Sequence, residues 1–273
     1  MIRKISNLGL SCIENYILEE LIPKVKNYKW IFAYSICPLK DVLDYVIIGE
    51  HSYENYYAIP RIQDIAQKHI IISYDRYEIQ SLEEIENVQF SDILLLKVNN
   101  DFMFENFGIR TWRDDHYIRI LELAENEVLF RNDYPAKMEW MPRRNIQNLD
   151  ELKIVKINLL CEAISNESIE KLKNIRDKNV KNFNKEINVA DYKKISAVSL
   201  RDLVGILKIL RKRANILQDK EIVGNYYFEE LENIQFKLEY MRLKKKENKE
   251  DLWKFLNYII ELDKKHLLEI SHG

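Results

Sequence analysis

Cysteine, glycine and proline are scarce in this chain of 273 residues. Its 3 cysteines (Cys12, Cys37 and Cys161) do not make a disulfide framework, and no Cys-x-x-Cys or His-x-x-x-His pair indicates a zinc site. With 6 glycines and 5 prolines, long disordered linkers are not expected. These absences argue against the disulfide-rich and zinc-binding classes and favour a folded protein with free thiols.

Membrane segments, strong charge and nucleotide-binding motifs are also missing from the sequence. No segment reaches the ~18 apolar residues of a membrane span, and residues 1–5 lack the continuous apolar run of a signal peptide. The formal net charge of −2 gives no basic field for nucleic acid, and no glycine-rich nucleotide motif occurs. The sequence therefore predicts a cytoplasmic protein that binds neither membranes nor nucleic acid.

What is present is an ordinary globular composition, 47% hydrophobic and 32% charged, whose pattern changes near residue 145. Before that point, a β-branched run at 69–74 and an apolar run at 92–98 predict strands, and the phenylalanine-rich stretch 99–113 is predicted to be a loop. Beyond it, lysine-rich amphipathic segments predict helices at 151–163, 199–217, 228–246 and 250–270. The expected fold class is α+β, with one domain at 1–145 and an α-helical domain at 146–273.

The stretch 7–21 is predicted to deliver one cysteine to the start of a helix. Ser11 is a good N-cap, and Pro23 closes the helix. Apolar residues repeat on one helical face at Ile13, Ile17 and Leu21. Cys12 then lies in the first turn, where the helix dipole and the unpaired N–H groups favour the nucleophilic thiolate. The alternative is a cysteine that only packs in the core.

A β-hairpin is predicted over residues 116–133. His116 opens its first strand, and Asn132 and Asp133 close the second, so the hairpin folds them back beside the imidazole. A two-residue loop at 125–126 puts Ile118 opposite Asp133, whereas a three-residue loop puts it opposite Asn132. The apolar pattern slightly favours the second register, in which Ile118, Ile120, Val128 and Phe130 share a face. Either residue would accept the Nδ1 hydrogen bond that orients a catalytic imidazole, and the choice stays open.

A cysteine at a helix start, then His-Tyr at 116, a hairpin and Asn-Asp-Tyr-Pro at 132 together resemble the papain-like cysteine-protease fold over residues 1–145. Within that fold, the spacing is similar to the butirosin-type carrier-protein acyltransferases of antibiotic biosynthesis and to the amide-forming enzyme of closthioamide assembly. It resembles the bacteriocin-processing cysteine peptidases more distantly. The chain has Ser6 where those peptidases carry glutamine and Ile13 where they carry glycine. These departures and the helical second half favour the acyltransferases.

The resemblance implies a cysteine-dependent acyltransferase that forms amides. Cys12 would accept an acyl group from a carrier-protein thioester, and His116 would take the thiol proton. Asn132 or Asp133 would orient the imidazole, and the side chain of Asn7 would stabilise the oxyanion together with the backbone N–H of Cys12.

The expected partners are an acyl or peptidyl carrier protein and a small amine acceptor. No cofactor is expected beyond the phosphopantetheine arm of the carrier. The oligomeric state stays open, with a homodimer among the options. A cytosolic cysteine peptidase or amidase, with water as the acceptor, and an inactive papain-like binding protein are the alternatives.

Basic side chains cluster in the runs 208–213 and 242–246. Such runs are usually solvated helix faces. Carrier proteins are usually acidic, however, and complementary charge would speed and orient their encounter with this chain. Arg211, Lys212 and Arg213 are therefore a candidate docking surface.

Overall fold

The computed structural model describes residues 11–48, 61–81, 84–85, 92–108, 116–133, 136–147, 149, 151–183, 187–195, 198–219, 225–244 and 248–270. The chain forms two compact units, of which the first contains the segments Leu10–Tyr28 and Ile62–Ser165. The second contains Lys29–Arg61 and Asn166–Gly273. The expected α+β class is confirmed: an N-terminal helix and an antiparallel sheet precede a helical C-terminal region.

The helices of the described residues follow one another along both units. They are α1 (Cys12–Lys24), a 3₁₀ helix (Tyr28–Ser35), α2 (Leu39–Leu43), a π-helix (Asp44–Ile48), α3 (Ile62–Lys68), α4 (Asn100–Phe107), α5 (Arg143–Gln147), α6 (Asn166–Lys181), α7 (Val189–Ile195), α8 (Leu200–Asp219), α9 (Asn225–Leu243) and α10 (Lys249–Ile270). None of these helices is both long enough and apolar enough to cross a membrane.

Within the described residues, six strands form one antiparallel sheet in the first unit. They are β1 (Ile72–Ile79), β2 (Ile93–Val98), β3 (His116–Leu123), β4 (Glu127–Asn132), β5 (Lys137–Pro142) and β6 (Leu152–Leu159). Their order is β1-β6-β2-β3-β4-β5, which places the hairpin of β3 and β4 between β2 and β5.

The prediction of a helix over 151–163 is wrong, because this segment contains strand β6. β6 lies between β1 and β2 and pairs with both of them. Its Leu152, Ile154, Val155 and Ile157 are buried, which uses both faces of the strand. A run rich in β-branched residues suits such a central strand better than a helix, because branching at Cβ restricts the side chain in a helix.

Each face of the sheet has its own apolar layer. One face packs in a core that includes Leu94, Leu96, Ile118, Ile120, Val128, Phe130 and Met141. This confirms that the four predicted hairpin residues share a buried face. Because side chains alternate along a strand, Leu95 and its partner Arg119 lie on the other face. α1 packs there: it contacts β2, β3 and α3, and its Tyr16, Ile17, Leu18 and Leu21 are completely buried.

The stretch 99–113, predicted to be a loop, contains helix α4. Asn99 caps the helix, because its side-chain oxygen accepts a hydrogen bond of 2.9 Å from the N–H of Phe102. Gly108 ends it with a left-handed φ of 68°. The aromatic residues hid these cap signals, although Met103 and Phe107 lie four residues apart, as the helical period requires, and are both buried. Residues 109–115 lie outside the described residues.

The second unit is helical, and three of its predicted helices are confirmed as α8, α9 and α10. Ser199 and Asp202 cap α8: the N–H of Ser199 donates to Asp202 over 2.9 Å, and the Ser199 hydroxyl accepts from the N–H of Asp202 over 3.2 Å. Stretch 29–36, which carries Trp30 and Phe32, is neither strand nor α-helix but mostly 3₁₀ helix.

The prediction that Arg211, Lys212 and Arg213 form a docking surface is wrong for Arg213, because this residue is buried. That side chain is completely buried and binds the Asp263 carboxylate, the Tyr227 hydroxyl (2.7 Å) and the backbone carbonyl of Cys37 (2.8 Å). Arg211 is also engaged, with Glu232 at 2.9 Å and Gln235 at 2.6 Å. The side chain of Lys212 is not among those that the structure describes. A helix face that looks basic in sequence thus turns two of its cations toward neighbouring helices.

Candidate active site

Cys12 is the first residue of α1, as predicted, and its side chain is half-buried. Ser11 caps the helix together with Glu14 in a capping box: the Ser11 hydroxyl accepts from the N–H of Glu14 at 3.3 Å, and Glu14 Oε2 accepts from the N–H of Ser11 at 2.9 Å. The second oxygen of Glu14 accepts from the N–H of Ile62 at 3.0 Å. Glu14 therefore fixes the cysteine end of α1 and ties it to the start of α3.

The hairpin uses both of the registers that the sequence left open. Its turn is the two-residue loop at 125–126, closed by a hydrogen bond of 2.9 Å from the N–H of Ala124 to the carbonyl of Glu127. Next to the turn, Leu123 pairs with Val128. A β-bulge between Ile120 and Glu122 then shifts the register by one residue, so that farther along Arg119 pairs with Arg131. Continued along the strands, this second register puts Ile118 opposite Asn132.

The bulge decides which residue binds the histidine. His116 Nε2 lies 2.5 Å from Asn132 Oδ1, within hydrogen-bonding distance, and the Asn132 side chain is completely buried. The predicted bond at Nδ1 is thus made at Nε2 instead. Because an amide oxygen only accepts, Nε2 must carry the proton, and Nδ1 of the neutral ring is then the proton-accepting nitrogen. This tautomer is the one that a general base needs if the thiol approaches Nδ1.

Asp133 lies beside the same ring but contacts the cysteine helix. Its Oδ2 accepts a hydrogen bond of 2.8 Å from Nδ2 of Asn15, which is three residues after Cys12. Its Oδ1 lies 3.8 Å from His116 Nε2, too far for a hydrogen bond but close enough for a charge interaction. The Asp133 side chain is only 7% exposed. The end of the hairpin and the first turn of α1 are therefore in direct contact.

Further bonds hold α1 against the hairpin. The buried Tyr16 hydroxyl donates to the carbonyl of Arg131 at 2.7 Å. The Arg131 guanidinium forms an ion pair with Glu19, and Arg119 pairs with Glu20 at 2.6 Å. Burial raises the pKa of Tyr16 well above its usual value, and the neighbouring carboxylate of Asp133 acts in the same direction. Tyr16 thus stays a neutral hydrogen-bond donor between the helix and the strand.

The described structure brings His116, Asn132 and Asp133 together and joins Asp133 through Asn15 to the helix that begins at Cys12, whereas Asn7 lies outside the described residues. The other two cysteines have different surroundings. Complete burial raises the pKa of Cys37 to about 11, so its thiol stays protonated. Cys161 follows strand β6 and does not lie in the helix predicted over 151–163, and partial burial raises the pKa of its thiol.

A cavity of about 520 Å³ in the second unit is a weaker candidate site. It is lined by Lys40, Asp44 and Tyr192 among other residues. The Asp44 carboxylate already accepts hydrogen bonds from Lys40 at 2.8 Å and from the Tyr192 hydroxyl at 2.6 Å. Its polar groups are thus engaged with one another. Among the described residues, no group of three or more His, Cys, Asp or Glu side chains has an arrangement that would hold a metal ion.

Two residues that matter for the geometry were missed from the sequence. Glu14 had a readable signal, because Ser11 and Glu14 have the spacing of a capping box. Asn15 had none, since its contact with Asp133 joins residues 118 positions apart. Comparison of the chain with protein-family models and with curated proteins finds no match.

Proposed function

We propose that the chain is a cysteine-dependent acyltransferase of papain-like architecture that forms an amide from a carrier-protein thioester and an amine. One observation carries the proposal. His116 is bonded to Asn132 at the end of a hairpin, and the helix that begins at Cys12 is bonded to the same end through Asn15 and Asp133. A thiol, an imidazole and an orienting side chain are the groups that acyl transfer through a thioester intermediate requires.

The first half-reaction moves the acyl group onto the enzyme. His116 takes the proton of Cys12, the sulfur attacks the thioester carbonyl, and the carbon–sulfur bond to the phosphopantetheine arm breaks. The departing carrier thiolate takes the proton from His116. The backbone N–H of Cys12, in the first turn of α1, would stabilise the oxyanion. Asn7 is the proposed second donor.

The second half-reaction releases the amide. The amine nitrogen attacks the acyl-enzyme carbonyl, the bond to the Cys12 sulfur breaks, and the amine proton passes through His116 to the thiolate. The products are an amide, the free carrier thiol and the regenerated enzyme, with no oxidant or reductant consumed. The proposed setting is the reducing cytoplasm, where a thiol nucleophile stays free.

Intact-mass spectrometry of the protein with acyl-pantetheine thioesters tests the proposal. The wild type is expected to gain the mass of one acyl group, and a Cys12→Ala variant is expected to gain none. Cys161→Ala is the matched control, because it removes a half-buried thiol outside the site and should acylate like the wild type. Adding a diamine or an amino sugar should then discharge the adduct and yield an amide.

The outcomes separate the candidate functions. Amide formation supports the transferase. Discharge by water alone, with no amide at any amine concentration, would assign the site to a peptidase or amidase. Absence of an adduct with every thioester, with unmodified Cys12 in the peptide map, would contradict the proposal and favour a binding protein.

A further inference from the structure

Helix α9 of the second unit exposes two large aromatic side chains. Phe236 is 62% exposed and Tyr240 is 61% exposed, and they lie one helical turn apart on the same side of the helix. The opposite side of α9 is buried and carries Tyr227, Leu231, Ile234 and Leu238. Neighbouring exposed aromatic residues are unusual on a solvated helix face and are enriched in the cores of protein interfaces.

The two aromatic residues belong to a continuous stripe along the exposed side of α9. This outer stripe consists of Glu229, Asn233, Phe236, Tyr240 and Lys244, all of which are exposed. Their spacing of three or four residues keeps them on one face of the helix. Lys244 directly follows α9, but its N–H still donates to the carbonyl of Tyr240 at 3.0 Å, so the helical path reaches it. At 1.5 Å per residue, the outer stripe is about 22 Å long.

Charge is distributed unequally along the outer stripe. Glu229 makes one end acidic, Lys244 makes the other end basic, and the aromatic residues lie between them. Lys244 Nζ lies 5.7 Å from the centre of the Tyr240 ring, so the basic and aromatic parts form one surface. An acidic start and a basic end also suit the dipole of α9 itself, but the dipole does not account for two exposed aromatic side chains.

A second copy of α9, laid antiparallel on the first, reverses the order of these groups. With a twofold axis between positions 236 and 237, Glu229 of each copy faces Lys244 of the other. In the same register, Asn233 faces Tyr240, and the two Phe236 rings meet at the axis. A twofold interface uses the same surface on both copies and must therefore be self-complementary. The outer stripe meets this condition at its two ends and at its centre.

We infer that α9 is a self-association surface, through which two copies of this chain form an antiparallel, twofold-symmetric dimer. The inference does not depend on the proposed acyl transfer, because every residue of the outer stripe lies outside the candidate active site. One helix face from each copy makes a small interface. We therefore expect a dissociation constant in the micromolar range, about 10 µM.

Sedimentation-velocity ultracentrifugation of the full chain, at about 1 to 100 µM and with a reducing agent present, tests the inference. The wild type should shift from monomer to dimer over this range. Phe236→Asp should stay monomeric, because it places two carboxylates at the twofold axis. Met138→Asp, at a position on β5 that is 63% exposed, is the matched control and should dimerise like the wild type.

Charge reversal tests the antiparallel arrangement. Glu229→Lys and Lys244→Glu should each dimerise about tenfold more weakly than the wild type, because each puts like charges at both ends of the interface. An equal mixture of these two variants should recover wild-type dimerisation, since positions 229 and 244 then carry opposite charges at both ends of the mixed dimer. Glu105→Lys, at an exposed position on α4, changes the net charge as Glu229→Lys does and should have no effect.

Three results would overturn the inference. The first is a wild type that stays monomeric at the highest concentration, which would assign the outer stripe to a different protein partner. The second is a dimer that Phe236→Asp leaves intact or that Met138→Asp dissociates, which would place the interface elsewhere. The third is a mixture of the charge variants that associates as weakly as either one alone. Recovery in the mixture requires both variants to be folded, and circular dichroism checks Phe236→Asp; if that variant unfolds, Tyr240→Asp replaces it with the same expected loss of the dimer.

Discussion

Replacing Glu14 by alanine should destabilise the protein and expose the start of the cysteine helix. Glu14 is only 1% exposed, and its carboxylate accepts from the N–H groups of Ser11 and Ile62. Alanine leaves both donors without an acceptor in a site that is mostly closed to water. At about 1 to 3 kcal/mol for each unsatisfied buried donor, partly relieved by relaxation, the expected loss of unfolding free energy is about 2 to 4 kcal/mol.

Urea denaturation of the wild type and three variants measures this loss. The unfolding free energy of Glu14→Gln should lie between those of the wild type and Glu14→Ala. The amide of glutamine has one oxygen, which accepts from one backbone N–H, while its NH₂ group faces the other donor. Glu105→Ala, at an exposed position on α4, is the matched control and should have no measurable effect. Cys12 alkylation should also slow in Glu14→Ala, since the first turn of α1 loses its cap.

The argument about Glu14 would be refuted by either of two results. A Glu14→Ala variant as stable as Glu105→Ala would mean that the two N–H groups find other acceptors. A Glu14→Gln variant as stable as the wild type would mean that only one of the two bonds matters.

Three further predictions concern the rest of the chain. Arg213→Met should cost about 3 to 5 kcal/mol of unfolding free energy by urea denaturation, because it leaves the buried Asp263 carboxylate unpaired, whereas Lys254→Met at an exposed ion pair should cost little. The stability that the buried Cys37 contributes is complete below its unfolded pKa near 9.0 and is lost as pH rises toward the folded value of about 11. The unfolding free energy of the wild type should therefore fall with pH in this window, and the fall should be shallower in a Cys37→Ala variant, in which Tyr16 and Tyr227 still contribute because burial raises their pKa values too. Gly108→Ala should lower the unfolding free energy, measured by urea denaturation, by about 1 kcal/mol. The left-handed φ of 68° is the only cause expected, because the added methyl group meets no atom within 4 Å. A variant as stable as the wild type would contradict this reason.

The cysteine helix and the hairpin were predictable because their signals are local. Serine is a common helix N-cap because the first four N–H groups of a helix need acceptors, and Ser11 has this role here. The apolar residues that follow it repeat with the helical period. The alternation of apolar residues in β3 and β4 likewise predicts one buried face. Local patterns failed at β6, where burial on both faces removes the alternation that marks a strand, and at α4, where aromatic residues mask a capped helix.

The hairpin register shows how far local information reaches. Turn length alone offered two registers, and the structure contains both, one on each side of a bulge at Leu121. A bulge depends on pairing with the neighbouring strands β2 and β5, which the hairpin sequence does not contain. The apolar pattern of the hairpin already favoured the register that puts Ile118 opposite Asn132, but turn length alone did not predict the bulge that joins the two registers.

The sequence by itself determined that a cysteine begins a helix, that a histidine begins a strand, and that an asparagine and an aspartate end the next strand. These features follow from capping, periodicity and turn chemistry within a few residues. The tertiary structure alone decided that Asn15 binds Asp133, that Glu14 binds Ile62, and that Arg213 is buried. Each of these depends on contacts between segments far apart in the chain, where burial makes an unsatisfied polar group costly and so selects its partner.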